Sequence, residues 1–129
     1  SDGRLFPWGK QSPTDEVANF GLGASFSYSQ VLAPVQRYDT GRSPYGLHQM
    51  AGNVGEWVAD WYGANYYETS ASKNPAGPER GAFRVVRGGS WSDLPKYLLT
   101  YGRSKLPPET RNSYTGFRCA RAVLPITSP

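Results

Sequence analysis

The chain has a single cysteine, Cys119, a single histidine, His48, and a single methionine, Met50. One thiol excludes an internal disulfide and a cysteine-based zinc site. One imidazole leaves Ser-His hydrolases and classical metal enzymes without most of their parts. Charge is sparse as well: 14 Lys plus Arg stand against 10 Asp plus Glu, and the basic residues are scattered. Nucleic acid is therefore not an expected partner, because phosphate recognition needs a clustered basic run or stripe. No stretch approaches the ~18 consecutive apolar residues of a membrane span. The opening Ser1-Asp2-Gly3-Arg4 has neither an initiating Met nor an apolar signal core, which suggests processing or a piece of a longer protein.

Turn-forming residues are what the chain has in quantity. With 15 Gly and 11 Pro, about a fifth of its 129 residues punctuate the backbone, against ~12% in an average domain. Long helices have little room in such a sequence. Apolar residues make up 38% and aromatics 14%, so one modest core rich in large rings is expected, within one domain.

Residues 1–45 read as irregular, with turns at Pro7-Trp8-Gly9 and Arg42 to Gly46. From Glu56 to Tyr62, Trp57, Ala59 and Trp61 alternate with their neighbours at the period of a strand. Residues 63–81 return to loop, and Phe83-Arg84-Val85-Val86 is a short β-type run ending at Gly88-Gly89. Tyr97, Leu99, Tyr101 and Arg103 alternate again, predicting a strand over 97–103. After a polar loop from Leu106 to Tyr114, Gly116 to Val123 predicts a last strand, with Phe117 and Cys119 inward. Trp57, Trp61, Trp91 and Phe117 are the expected core, and residues 125–129 an expected frayed tail.

Four segments have a specificity that composition lacks. They are Asp2-Gly3-Arg4-Leu5-Phe6-Pro7-Trp8-Gly9, the run from Gly46 through Met50-Ala51-Gly52-Asn53-Val54-Gly55-Glu56-Trp57, then Arg87-Gly88-Gly89-Ser90-Trp91, and finally Gly116-Phe117-Arg118-Cys119-Ala120-Arg121. In this order and spacing the chain resembles the formylglycine-generating enzyme, or sulfatase-modifying factor, family over residues 1–124. The resemblance implies a variant of the C-type lectin fold: α+β, loop-rich, with short antiparallel strands. It covers only the C-terminal half of the family's usual domain, which implies a complementing N-terminal half elsewhere.

The same resemblance carries expectations about metals. Asn53, Val54, Gly55 and Glu56 match the family's calcium loop, in which an amide oxygen, main-chain carbonyls and a carboxylate gather around a hard cation that wants six to eight oxygens. The plainer reading is that Asn53 and Glu56 brace a turn. Asn19 and Phe20 match the start of a second calcium site, although the stretch from Phe20 to Pro34 contains no acid. The family's oxidases hold copper(I) through two cysteines, and those positions fall at Pro95 and Thr100. Copper(I) selects thiolates, so copper is not expected here.

The interval from Ser92 to Thr115 is dense in Tyr and Arg, residues that supply contact area with polar tips at little entropic cost. Trp91, Asp93, Lys96, Tyr97, Tyr101, Arg103, Arg111 and Tyr114 are its candidate binding residues, for a protein or glycan partner. Three functions follow from the resemblance: a non-catalytic binding or structural module within a larger protein or complex, the substrate-binding C-terminal part of an iron-dependent sulfoxide synthase of the ergothioneine type, or a formylglycine-generating oxidase. The absent cysteine pair favours the first.

Overall fold

A computed structural model describes residues 2–23 and 31–121. Four strands form one small sheet: β1 (Gly55–Trp61), β2 (Arg84–Arg87), β3 (Ser104–Leu106) and β4 (Thr115–Gly116). A single helical turn, α1 (Tyr66–Thr69), and two 3-10 turns, Asp39–Gly41 and Pro95–Tyr97, complete the regular structure of the described residues. None of these helices is long and apolar enough to cross a membrane. The rest is loop, as the Gly and Pro content demands. The family-type, loop-rich architecture is therefore present.

The sheet order is β3-β2-β1-β4. β2 runs antiparallel to both β1 and β3, but β4 lies parallel to β1 through Gly55 and Thr115. The expected all-antiparallel arrangement is thus corrected to a mixed one. Residues 107–114 leave β3 at one edge and cross to the opposite edge, and a connection that crosses a sheet can deliver its strand parallel. β1 lies where alternation placed it, shifted by one residue. Its register against β2 slips between Trp57 and Trp61, so the alternation does not become a clean inward and outward pattern.

Two expected strands are corrected. Residues 97–103 do not form one: Pro95 opens a 3-10 turn, Leu98 N–H donates to Pro95 O, and Gly102 N–H turns back to Leu99 O. Leu98, out of phase with the aromatic series, is the buried residue, 1% exposed. Pairing resumes only at Ser104. The last strand stops at Gly116. Beyond it Phe117 is 76% exposed, and Cys119 and Ala120 are exposed as well. As an edge strand β4 has one neighbour, and Arg118 turns back toward β1. Residues 122–129, including the expected tail, lie outside the described residues, as do residues 24–30.

The core is smaller than the expected set of rings. Phe6, Ala18, Ala51 and Leu98 form its centre, with Trp8, Val17, Phe20 and Leu99 packed against them. Of the four expected core aromatics only Trp91 is buried; Trp57 and Trp61 are half-buried, and Phe117 is outside. Arg84 explains part of this, because its guanidinium lies 3.6 Å over the Trp61 ring and takes the place of an apolar cover.

Main-chain bonds between loops do what the short sheet cannot. Asn53 N–H donates to Asn19 O at 2.8 Å, Gly52 N–H to Gly88 O at 2.9 Å, and Trp91 N–H to Asn53 O at 3.0 Å. Leu22 and Gly21 donate in turn to Trp91 O and Asp93 O, both at 2.9 Å. Three distant segments are thereby knotted at Gly52-Asn53. The close approach requires glycine: Gly52 has φ +78°, and a Cβ there would lie 2.5 Å from Asn19 O.

Candidate functional site

The knot holds the residues expected to bind calcium, and its geometry assigns them other partners. Asn53 adopts φ 65°, a left-handed conformation that Asn tolerates. This turns its amide toward Asn19 and Ala33. Asn53 Oδ1 accepts from Asn19 Nδ2 at 3.1 Å and from Ala33 N–H at 2.9 Å, while Nδ2 donates to Ala33 O at 3.2 Å. Asn19, itself buried, also donates to Val31 O at 2.6 Å. Phe20 packs against the core. Val54 packs at Gly116, and Gly55 N–H donates to Tyr114 O at 2.8 Å.

Glu56 faces a different way. Both its carboxylate oxygens accept from Arg118 Nε, at 2.8 and 2.7 Å. Arg118 also reaches the carbonyls of His48 and Gln49. Asn53 Oδ1 and the Glu56 carboxylate are therefore each taken by N–H donors, and a cation already sits on Glu56. This donor set does not fit a calcium ion. Gln49, which the sequence reading passed over, carries a buried Oε1 with no hydrogen-bond partner. His48 is braced, with Nε2 3.2 Å from Asp39 Oδ1.

Copper does not fit either. Pro95 begins a 3-10 turn. Thr100 is held on three sides: its N–H donates to Leu5 O at 2.8 Å, its hydroxyl to Arg4 O at 3.0 Å, and its carbonyl accepts from Arg87. The position therefore clasps the N-terminal segment to the 97–102 loop. Cys119 stands apart, exposed beyond β4.

The candidate binding residues of the 92–115 interval divide into two groups. Trp91 is buried and donates from Nε1 to Ser113 O at 3.3 Å, so it belongs to the core. Asp93 braces the turn after the glycine pair, accepting from Ser90 N–H at 2.8 Å and from Ser90 Oγ at 2.7 Å. Arg103 lies over the rings of Tyr67 and Tyr62, 4.4 and 5.2 Å from their centroids, and donates to Gly63 O at 3.2 Å. Lys96, Tyr97, Tyr101, Arg111 and Tyr114 face solvent; Lys96 Nζ lies 5.0 Å from the Tyr97 ring centroid.

An open cavity of about 660 Å³ lies beside this loop, lined by Leu98, Leu99 and Thr100 but by none of the eight candidates. Pro7, Tyr45, Leu47, Met50 and Val58 supply most of its apolar wall. Arg4, Glu56 and Arg87 bring charge to it, each with an intramolecular partner. No spacing in the sequence marks this cavity, because its walls come from five separate segments. The volume is within the range of small-molecule sites, and the lining has their usual character, apolar with a few polar groups.

Known proteins agree with the fold. Residues 1–123 match the sulfatase-modifying factor enzyme 1-like domain family. The chain is 46% identical over 98 residues to the serine/threonine-protein kinase pkn1 of Chlamydia caviae, covering 74% of this chain and 16% of the kinase. It is 37% identical over 134 residues to the formylglycine-generating enzyme of Mus musculus, covering 95% of this chain and 35% of the enzyme. With the hercynine oxygenase of Mycolicibacterium smegmatis it shares 37% identity over 123 residues, 91% of this chain and 28% of the oxygenase. Among solved structures, Treponema denticola variable protein 1 superposes with a TM-score of 0.71 at 29% identity, over 90% of this chain and 41% of that one. The chain thus spans well under half the length of each of these proteins. With the family matched along nearly its whole length and the loop-rich mixed sheet in place, the chain belongs to the sulfatase-modifying factor enzyme 1-like domain family.

Proposed function

We propose that this domain is a non-catalytic binding or structural module of its family, working inside a larger protein or complex. The observation that carries this reading is Thr100. At the position where the resemblance puts a copper cysteine, a hydroxyl, an N–H and a carbonyl are all engaged in holding the Arg4-Leu5 segment and Arg87. The second position is Pro95, so neither residue has a thiol to offer. The surface offered to a partner is the outer side of the 94–101 loop, where Leu94, Tyr97 and Tyr101 are exposed, together with the adjoining cavity. A protein or glycan suits such a surface: rings give contact area, and the polar tips give direction. Anaerobic titration of the chain with copper(I), followed by an oxygen-consumption assay with a sulfatase-derived cysteine peptide, tests the reading. No stoichiometric copper and no turnover are expected. One equivalent of tightly bound copper(I) would overturn it.

The similarity to hercynine oxygenase favours a second reading, the substrate-binding C-terminal part of an iron-dependent sulfoxide synthase. In that reading Tyr97 and Tyr101 would contact substrate, while Arg103 would have to leave the rings of Tyr62 and Tyr67 to do so. Calorimetric titration with hercynine separates the two. Saturable binding abolished by Tyr101→Ala would favour the synthase, and absence of heat would leave the module.

A further inference from the structure

The carboxylate of Glu56 and the carbonyl oxygens of His48 and Gln49 converge beside the start of β1. Oxygens gathered in this way repel one another unless something positive lies among them. In the family this loop is where the resemblance implies calcium. Here the guanidinium of Arg118, from the Gly116-Phe117-Arg118-Cys119 segment, lies among these oxygens. Arg118 Nε bonds both Glu56 oxygens, Nη1 and Nη2 each lie 3.2 Å from His48 O, and Nη2 is 2.9 Å from Gln49 O. Nη2 also pairs with Glu56 Oε1. A planar guanidinium presents five N–H groups in a fixed fork, and all three of its nitrogens are engaged with this cluster.

We infer that Arg118 is the built-in cation of the 48–56 loop and takes the structural role that a divalent metal would otherwise fill. The Asn53 half of the expected metal loop supports the same conclusion independently. Turning Asn53 Oδ1 toward an ion would strip Asn19 Nδ2 and Ala33 N–H of their acceptor. Both ends of the loop are therefore closed by N–H donors. The guanidinium arrives with Gly116-Phe117-Arg118, so the same bond that neutralises Glu56 also anchors the chain just after β4. A metal ion could do the first of these but not the second. Removing the side chain would leave the oxygens of Glu56, His48 and Gln49 without their cation.

This inference does not depend on whether the domain is catalytic, and it is tested with the 129-residue chain itself. Thermal melts in 2 mM calcium and in excess EGTA should coincide within about a degree for the wild type. Arg118→Ala should melt several degrees lower in EGTA and regain part of that loss in calcium. Arg118→Lys keeps the charge but loses the fork, and it should fall between the two without responding to calcium. Terbium luminescence sensitised by the neighbouring Trp57 gives a readout that needs no melting transition: none is expected from the wild type, and a saturable signal from Arg118→Ala. A wild-type chain stabilised by several degrees in calcium, or one that binds a single equivalent of terbium, would overturn the inference. So would an Arg118→Ala chain that melts like the wild type or gains no metal response.

Discussion

The loop from Gly52 to Glu56 and the loop from Leu94 to Arg103 are both irregular backbone, yet they are built on opposite terms. In the first, nearly every polar group has a partner far away in sequence. Asn53 alone connects to Asn19, Ala33 and Trp91. In the second, the main chain is tied by its own turns and by the clasp at Thr100, while Leu94, Tyr97 and Tyr101 stand in solvent. The first loop constrains the fold through main chain and side chains together. The second is fixed through its backbone together with Leu98 and Thr100, which leaves the exposed side chains of Leu94, Tyr97 and Tyr101 free to differ without loss of structure. In a domain with so little sheet, surfaces that can vary are found where the backbone carries the constraint.

This contrast breaks most severely at Gly52. Alanine there would force a Cβ to within 2.5 Å of Asn19 O at a φ of +78°. Neither the backbone carbonyl nor the knot can move aside cheaply. A cost of about 3 kcal/mol is expected, a fall in melting temperature on the order of 10 °C for a chain of this size. Differential scanning calorimetry would measure it. A drop of only a degree or two would mean that the three segments are less tightly knotted than their bonds imply.

Asn53 comes next, and here backbone and side chain can be separated. Asn53→Ala removes the acceptor of two N–H donors and strains a φ of 65°. Asn53→Gly relieves the strain but still leaves Asn19 Nδ2 and Ala33 N–H without their acceptor. Orphaned buried donors cost about 1–3 kcal/mol, so both variants should lose stability in denaturant melts, the alanine more than the glycine. If the glycine variant matched the wild type, the side-chain bonds would be incidental and the left-handed turn alone would matter.

How much of this was legible in the sequence follows from the range of the forces involved. β1 and β2 could be read, because alternation at Trp57, Ala59 and Trp61 and the Val85-Val86 pair are local signals. The glycine pair could be read as well: Gly88 and Gly89 both have positive φ, with Met50 O only 2.9 Å from where a Gly88 Cβ would lie. The strand expected at 97–103 failed because the alternation of rings there is accidental; Pro95 and Gly102 impose turns, and burial selects Leu98 from the opposite phase. The core failed at Phe117 for a related reason, since Arg118 directs the chain after β4. Arg118 and Glu56 are 62 positions apart, and the cavity walls come from five segments. Chain topology alone brings such groups together, and no spacing rule reports it. The Asn53 to Glu56 motif was visible, but the identity of its cation was not.

The smallest expected effect is the one that bears most on function. Tyr97 and Tyr101 have no side-chain hydrogen bond among the described contacts, and the Tyr101 ring is 65% exposed. The carbonyl of Tyr97 approaches Gly89, but that contact belongs to the backbone and survives any substitution that keeps the turn. Changing both residues to serine should therefore shift stability by no more than about 0.5 kcal/mol per site, the ordinary range for surface positions. The far-ultraviolet circular dichroism spectrum should be unchanged. A loss as large as that of Asn53→Ala would move these rings from the recognition surface into the packing and erase the difference between the two loops. A stable double variant leaves a folded domain stripped of its aromatic face, and that chain is the control against which capture of any glycan or protein partner has to be measured.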